Sequence, residues 1–386
     1  SKFADLKHVQ IQDPFWDSYQ KLVAEKILPY QLRALKDEIP DAAPSHAIEN
    51  LRIAAGLDEG SFHGFIFQDS DVAKWLEALA YSLVHHPNPE LEAAAEEIID
   101  LLAQAQEDDG YLNTYFQLEA PEARFKNLAD CHELYVAGHL IEAGVAFYRY
   151  HGEQKLLDIV TKFADYLVES FGPGEGQIAG YPGHEEIELA LVKLDKIVPN
   201  RGYKELADFF VRRRGQAPEY FTEERQRDDF FDYYPGSKKQ MPVLKYHQAQ
   251  AAIQEQERAT GHAVRAVYYY TAVADLAYLS QDPELIEAAH RLYDNITEKQ
   301  MYITGGIGQS GILESFTTNY DLPNDANYSE TCAAIGLAFF AQRMSLLDPD
   351  RRYHELIERL LYNGILSGVS LDGERFFYVN PMQLEP

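Results

Sequence analysis

The chain has 386 residues, of which 46% are hydrophobic and 25% charged, and its formal net charge is −28. This composition supports a large core and excludes general disorder. A surface this acidic repels phosphate backbones and anionic lipids, so the sequence predicts no nucleic-acid or membrane-surface partner and favours a small neutral ligand. No apolar run reaches the roughly 18 residues that suggest a membrane helix.

Two cysteines, Cys131 and Cys332, are too few for a disulfide framework. Cys131 is predicted to be a buried, inert thiol. The first residues contain no apolar signal region, which favours a cytoplasmic location. The sequence does not define an oligomeric state and leaves a homo-oligomer open.

The spacing of apolar residues predicts helix after helix and almost no strand. In chain order the predicted helices cover residues 15–36, 71–86, 90–106, 132–150, 153–170, 184–197, 204–213, 261–279, 283–300, 329–346 and 350–366. Three of them (132–150, 261–279 and 329–346) are apolar on nearly every side, whereas the helix after each is amphipathic. Residues 367–386 are predicted to form a turn and a strand.

This alternation predicts an inner ring of buried helices wrapped by an outer ring. The predicted fold is therefore all-α, an (α/α)6 toroid in which residues 1–386 form a single domain. Six pairs require twelve helices, and the sequence provides about eleven. The expected missing member is the sixth inner helix, which would follow residue 386.

Chemically distinctive residues recur at the starts of the predicted inner helices: His132, His184, His262, Glu330 and Cys332. The inner helices of a toroid run parallel, so these ends should meet at one mouth. A single histidine at a helix start is more often a cap or a core hydrogen-bonder, but three such histidines favour a functional site. A carboxylate at position i and a thiol at i+2 supply half of a tetrahedral zinc site.

Other features of the sequence are less specific. Asp69 and Asp71, at another helix start, are equally well explained as N-caps or as ligand contacts. The HELYV segment at 132–136 lacks the second histidine of a zinc protease. The GGIG segment at 305–308 follows a helix rather than a strand, so it does not indicate a dinucleotide-binding fold.

Six segments together resemble glycoside hydrolase family 127, the β-L-arabinofuranosidases. They are FQDSDVAKW (67–75), DGYLNTY (109–115), HELY (132–135), GYPGH (180–184), TGGIG (304–308) and YSETCA (328–333). They extend over most of the chain in matching order, which makes the resemblance specific. The catalytic domain of that family is a six-pair α/α barrel, as the helix pattern also predicts.

The resemblance implies a retaining exo-glycosidase that releases L-arabinofuranose and whose nucleophile is a zinc-bound cysteine. Glu330 and Cys332 would bind one Zn²⁺ together with two adjacent cysteines, one of them the nucleophile, expected beyond residue 386. Glu314 would be the general acid/base, and the sugar contacts would be His132, His184, His262 and Tyr378. Family members continue into β-sandwich domains that this sequence does not include.

Two alternatives stay open at this stage. One is another toroid enzyme, of the unsaturated glucuronyl hydrolase or sugar epimerase type, in which histidines and carboxylates act without zinc. The other is a non-catalytic sugar-binding module. Metal analysis of the protein separates the first alternative from the zinc-dependent reading.

Overall fold

A computed structural model describes residues 3–383, which form helices joined by loops and one short strand pair. The α-helices are α1 Pro14–Leu22, α2 Leu28–Leu35, α3 Ala47–Ala54, α4 Asp69–Ser82, α5 Pro89–Ala105, α6 Thr114–Glu119, α7 Glu133–His151, α8 Gln154–Ser170, α9 Ile187–Asp195, α10 Tyr203–Arg213, α11 Tyr220–Gln226, α12 Ala263–Ser280, α13 Pro283–Lys299, α14 Thr331–Leu347 and α15 Arg351–Arg359. A π-helical segment, Val23–Ile27, joins α1 to α2, and a second, Leu360–Ile365, extends α15. The strands are β1 Gly261–His262 and β2 Ser315–Phe316.

The helices form two concentric layers, which confirms the predicted α/α toroid. Helices α4, α7, α9, α12 and α14 contact one another in that order and form the inner layer. Helices α8, α10, α13 and α15 each pack on the outer side of the inner helix that precedes them, and α5 packs against α8. Within residues 3–383 the inner layer therefore contains five long helices, as the sequence predicts.

Apolar side chains fill the space between the layers as one continuous core. Inner and outer helices approach closely where a glycine removes a side chain: a Cβ atom on Gly144 of α7 would lie 2.5 Å from Val160 Cγ2 of α8. The Trp16 indole of α1 donates a hydrogen bond of 3.1 Å to the hydroxyl of Tyr362, in the π-helical segment that extends α15. This contact joins the first outer helix to the last.

The two layers differ in how their helices begin. Five outer helices start at a side chain that accepts hydrogen bonds from the first turn: Asp13, Asn88, Glu153, Asp282 and Asp350. In the described part of the chain, none of the five inner helices has such a side-chain cap. Outer helix α10, which begins after Gly202, lacks a side-chain cap as well, so the contrast holds for five of the six described outer helices.

Several details depart from the sequence-based predictions. The predicted helix 184–197 begins only at Ile187, so His184 lies in the loop before it. Three short helices (α3, α6 and α11) were not predicted. The predicted C-terminal strand is replaced by isolated bridges that pair Val369 with Phe376 and Glu330 with Val379, and its last three residues lie outside the described range. Throughout residues 3–383, every helix is too short or too polar to cross a membrane.

Candidate active site

A cavity of about 680 Å³ opens at the N-terminal ends of the inner helices. All five inner helix starts contribute to its wall, and the residues that line it include Phe67, Asp71, Lys74, His132, Tyr135, His184, Tyr246, His262, Arg265, Glu314, Glu330, Cys332 and Tyr378. Every residue that the sequence singled out as a catalytic, sugar-contacting or metal-binding candidate therefore lies at this one mouth. Their individual roles remain predictions.

The three candidate histidines form a row along the wall. The ring centroids of His132 and His184 are 5.7 Å apart, and those of His184 and His262 are 5.6 Å apart. His132 Nδ1 lies 2.8 Å from the Asp130 carbonyl oxygen, and His184 Nδ1 lies 2.9 Å from the Glu185 carbonyl oxygen. A carbonyl oxygen only accepts, so each Nδ1 carries the proton and each Nε2 is left as a hydrogen-bond acceptor.

Burial keeps these imidazoles uncharged. Desolvation, followed by the nearby Arg265 guanidinium, lowers the pKa of His132 to about 3 and that of His184 well below its usual value. Burial also lowers the pKa of His262, against the opposing effect of Glu314. A row of neutral imidazoles offers acceptors and donors to hydroxyl groups without attracting anions, which suits an uncharged polyol.

Glu314 is placed by the small strand pair. It ends a helical turn, Ile312–Glu314, directly before β2, and β2 pairs with β1 so that Ser315 lies opposite His262. As a result His262 Nε2 lies 2.6 Å from Glu314 Oε2, and the Tyr328 hydroxyl donates to Glu314 Oε1 at 2.8 Å. The hydrogen bond from His262 holds the pKa of Glu314 below its usual value, with burial opposing it and Tyr328 adding to it.

Glu330 and Cys332 begin α14 as predicted, and Tyr378 lies beside them. The Thr331 amide donates to the Tyr378 carbonyl at 2.9 Å, which fixes this segment against the helix start. Burial raises the pKa of Glu330 to about 7, although hydrogen bonds from Tyr378 and Cys332 oppose the shift. Burial and the Glu330 carboxylate raise the pKa of the Cys332 thiol to about 12.

These groups have the chemistry of a cation site. Glu330 Oε2 is buried and has no hydrogen-bond partner in the described structure. Oxygen or nitrogen atoms of His262, Glu314 and Glu330 lie within 4.8 Å of one another, so the three side chains could hold a metal ion. The half-buried thiol of Cys332 is adjacent, and both raised pKa values would fall if a cation were bound. The donor set therefore fits a metal.

Some residues of the site were not predicted. Arg265 is buried, donates to the Gly183 carbonyl at 2.5 Å and contacts His247 Nδ1 at 3.0 Å. The sequence feature that could have indicated a role for Arg265 is its position as the one charged residue in the first turn of a largely apolar helix. Lys74 lies between Ser70 Oγ, at 3.1 Å, and the Tyr135 ring, at 5.2 Å from its centroid.

The structure separates the two aspartates left open by the sequence, and neither is the N-cap of α4, which is Gln68. Asp69 is buried and accepts hydrogen bonds from the Thr114 amide and hydroxyl, at 2.7 and 2.6 Å, so its role is structural. Asp71 lines the cavity, 3.6 Å from Lys74 Nζ. Cys131 is fully buried and burial raises the pKa of its thiol well above the usual value, in agreement with an inert thiol.

Comparison with known proteins gives one consistent family. Residues 8–386 match the model of the β-L-arabinofuranosidase catalytic domain of glycoside hydrolase family 127. A non-reducing end β-L-arabinofuranosidase of Bifidobacterium longum is 41% identical, and the match covers 98% of this chain and 60% of that protein. The chain is also similar to the crystal structure of a family 127 β-L-arabinofuranosidase from Geobacillus stearothermophilus, with 52% identity, a TM-score of 0.94 and coverage of 98% of this chain and 59% of that one.

A more distant likeness concerns the fold alone. An unsaturated glucuronyl hydrolase specific for heparin has a TM-score of 0.51 at 16% identity. The chain spans about three fifths of the length of the two β-L-arabinofuranosidases described above. Both the match along residues 8–386 and the similarity to these relatives lead to one conclusion: this chain belongs to glycoside hydrolase family 127, in the region of the family's catalytic domain.

Proposed function

We propose that this chain forms the sugar pocket, the proton-transfer group and part of the metal site of a retaining exo-β-L-arabinofuranosidase. The observation that carries the proposal is the contact of Glu314 with His262 and Tyr328 inside a cavity walled by neutral imidazoles. Membership of family 127 and the stated activity of the two relatives support it. Family membership also disfavours the glucuronyl hydrolase, epimerase and binding-module alternatives.

The sugar would be held by hydrogen bonds to uncharged groups. His132 and His184 each present an Nε2 acceptor, and a sugar hydroxyl can donate to it. His262 and Tyr378 complete the proposed set on the side of Glu314 and Glu330. Because the wall is neutral where the histidines lie, the proposed substrate is a glycan whose terminal sugar is neutral. The proposed location of the protein is the cytoplasm, and neither nucleic acid nor a membrane is a proposed partner.

Glu314 would act first as an acid and then as a base. Without a bound sugar its pKa is low, so the group is a carboxylate at neutral pH. A sugar that fills the cavity removes water from the carboxylate, which raises its pKa and favours the protonated form. Glu314 then donates the proton to the departing oxygen, and as a carboxylate it accepts a proton from the water that enters in the second step.

Zinc is the proposed metal, with Glu330 and Cys332 as its ligands in this chain. The unpartnered Glu330 Oε2 and the high pKa of the Cys332 thiol support this assignment, because both groups lack the positive charge that would stabilise their ionised forms. When bound, zinc keeps thiols ionised at neutral pH and so supports thiolate attack on the anomeric carbon. The family resemblance assigns that attack to one of two adjacent cysteines, a pair that this sequence does not include.

The experiment is a panel of aryl glycosides assayed with a full-length form of the protein that includes the proposed cysteine pair, and with its Glu314→Gln variant. We expect selective hydrolysis of β-L-arabinofuranosides and a loss of about 10²–10⁴-fold in kcat for poor leaving groups in the variant. The loss should be much smaller for a dinitrophenyl leaving group, which needs no acid. Glu358→Gln, on the exposed side of outer helix α15, is the matched control.

Zinc content separates the two arrangements of the metal site. If Glu314 transfers protons, Glu314→Gln should retain zinc while Cys332→Ser loses most of it, as measured by elemental analysis. If Glu314 instead binds the metal with His262 and Glu330, both variants should lose zinc. Loss of zinc from both variants would remove Glu314 from the acid/base role. The same conclusion would follow if Glu314→Gln had the same kcat as the unmodified protein for every leaving group.

A further inference from the structure

A second groove, of about 350 Å³, lies beside the turn that carries Glu314. The residues that matter for its chemistry are Lys245, Arg258, Thr260, Leu313 and Thr317. It shares the Tyr246 side chain with the sugar cavity, and the Tyr246 and His262 ring centroids are 5.5 Å apart. Leu313, which immediately precedes Glu314, is 48% exposed. The groove therefore adjoins the sugar cavity at Tyr246 and is lined by the two residues on either side of Glu314, Leu313 and Ser315.

The wall of this groove contains polar atoms without partners. Thr260 is only 7% exposed, and its hydroxyl oxygen makes no hydrogen bond within the described structure. The hydroxyl oxygen of Thr317, the residue directly after β2, is also buried and makes no hydrogen bond within the described structure. Buried hydroxyl groups in folded proteins are nearly always paired, so two unpaired ones in the wall of one groove indicate a ligand that offers hydrogen-bonding groups.

The groove also contains unpaired positive charge. In the part of the chain that the structure describes, the side chains of Arg258 and Lys245 make no hydrogen bond, ion pair or ring contact, although Arg258 is half-buried. Asp321 lines the groove too, so its formal charge is +2 − 1 = +1. That local excess occurs in a chain whose net charge is −28. A guanidinium without a carboxylate of its own is suited to bind one from a ligand.

We propose that this groove binds the leaving-group side of the glycan and that it prefers a sugar unit bearing a carboxylate. The inference rests on the proposed function, because a general acid must contact the bridging oxygen and the leaving group must therefore start at Glu314. From there it passes Leu313 and meets Thr260 and Arg258. The terminal sugar stays in the neutral cavity, and the carboxylate belongs to the unit that departs.

The test uses the same full-length form and compares two substrates of similar shape, one charged and one neutral: 4-carboxyphenyl and 4-carbamoylphenyl β-L-arabinofuranoside. We expect the wild-type protein to favour the carboxylate by about tenfold in kcat/KM, since a charge-assisted contact is among the stronger hydrogen bonds. Arg258→Gln should reduce that ratio at least about fivefold, and Lys245→Gln should reduce it less. Arg359→Gln, on the outer helix α15, should leave the ratio at the wild-type value.

The outcomes distinguish the two proposals. Hydrolysis of both glycosides with a ratio near one, or with the same ratio in wild type and Arg258→Gln, would overturn the groove assignment and leave the proposed function standing. Hydrolysis of neither glycoside would overturn both. Thermal melting checks that each variant folds. If Arg258→Gln does not fold, salt replaces it: raising the NaCl concentration to about 0.5 M should lower the wild-type ratio by screening the contact, and an unchanged ratio would refute it.

Discussion

The Tyr328 hydroxyl should help to set the pH at which Glu314, the proposed general acid, loses its proton. It donates to Glu314 Oε1 at 2.8 Å, and it can do so most strongly when Glu314 is ionised. A hydrogen bond to a charged group contributes about 1.5–3 kcal/mol, and one pKa unit corresponds to about 1.4 kcal/mol. Because Glu314 is partly exposed and keeps its hydrogen bond to His262, we take the lower end of that range.

The substitution Tyr328→Phe should therefore raise the pKa of Glu314 by about one unit. The alkaline limb of kcat/KM reports the pKa of the acid in the free enzyme, so this limb should move to higher pH by the same amount. The assay is the pH profile of kcat/KM on a 4-nitrophenyl glycoside. Tyr320→Phe, whose ring is 70% exposed, is the control and should not move the limb. An alkaline limb that stays in place in Tyr328→Phe would refute the reasoning.

Two further predictions concern stability. Gly144→Ala should lower the free energy of unfolding by about 1–3 kcal/mol, because its Cβ atom would lie 2.5 Å from Val160 Cγ2, and Gly144→Val should lower it further. Equal urea midpoints for wild type and Gly144→Ala would contradict this. Burial raises the pKa of Glu133 from 4.5 to about 8, so the folded chain retains a proton that the unfolded chain releases, and the free energy of unfolding should fall as pH rises from 4.5 to 8. Glu133→Gln should flatten this dependence in urea titrations at several pH values, and an unchanged slope would exclude Glu133 as its source.

The long helices could be predicted from the sequence because their apolar pattern is a property of each segment. Helix α14 was predicted as 329–346 and is observed as Thr331–Leu347, and the first helix, predicted as 15–36, is observed from Pro14 to Leu35 with a π-helical segment inside it. The short helices α3, α6 and α11 have six to eight residues, too few to establish a period. The loop position of His184 was missed because Glu185 and Glu186 are compatible with a first helical turn and no side-chain cap marks the true start at Ile187.

The convergence of the candidate residues could be predicted because parallel inner helices bring their starts together. The local geometry could not. His132, Leu313 and Glu314 all have left-handed backbone, with φ of 56°, 57° and 51°. Such conformations cost about 1–3 kcal/mol for residues other than glycine, and nothing in the residue types announces them. They are maintained by tertiary contacts, as is the buried position of Arg265, and a one-dimensional pattern does not contain those contacts.

The pairing of His262 with Ser315 limits the insertions that the loop between α13 and α14 can accept without loss of the site geometry. Two segments more than fifty positions apart in the chain are aligned here by a ladder only two residues long. Neighbouring side chains along a strand point in opposite directions, so slipping this alignment by a single position would turn the Glu314 carboxyl away from its histidine. The helical rings would be unaffected. The scaffold would thus accept insertions of many lengths in the loop between α13 and α14, but only lengths that restore this alignment would keep Glu314, the proposed proton donor, in contact with His262.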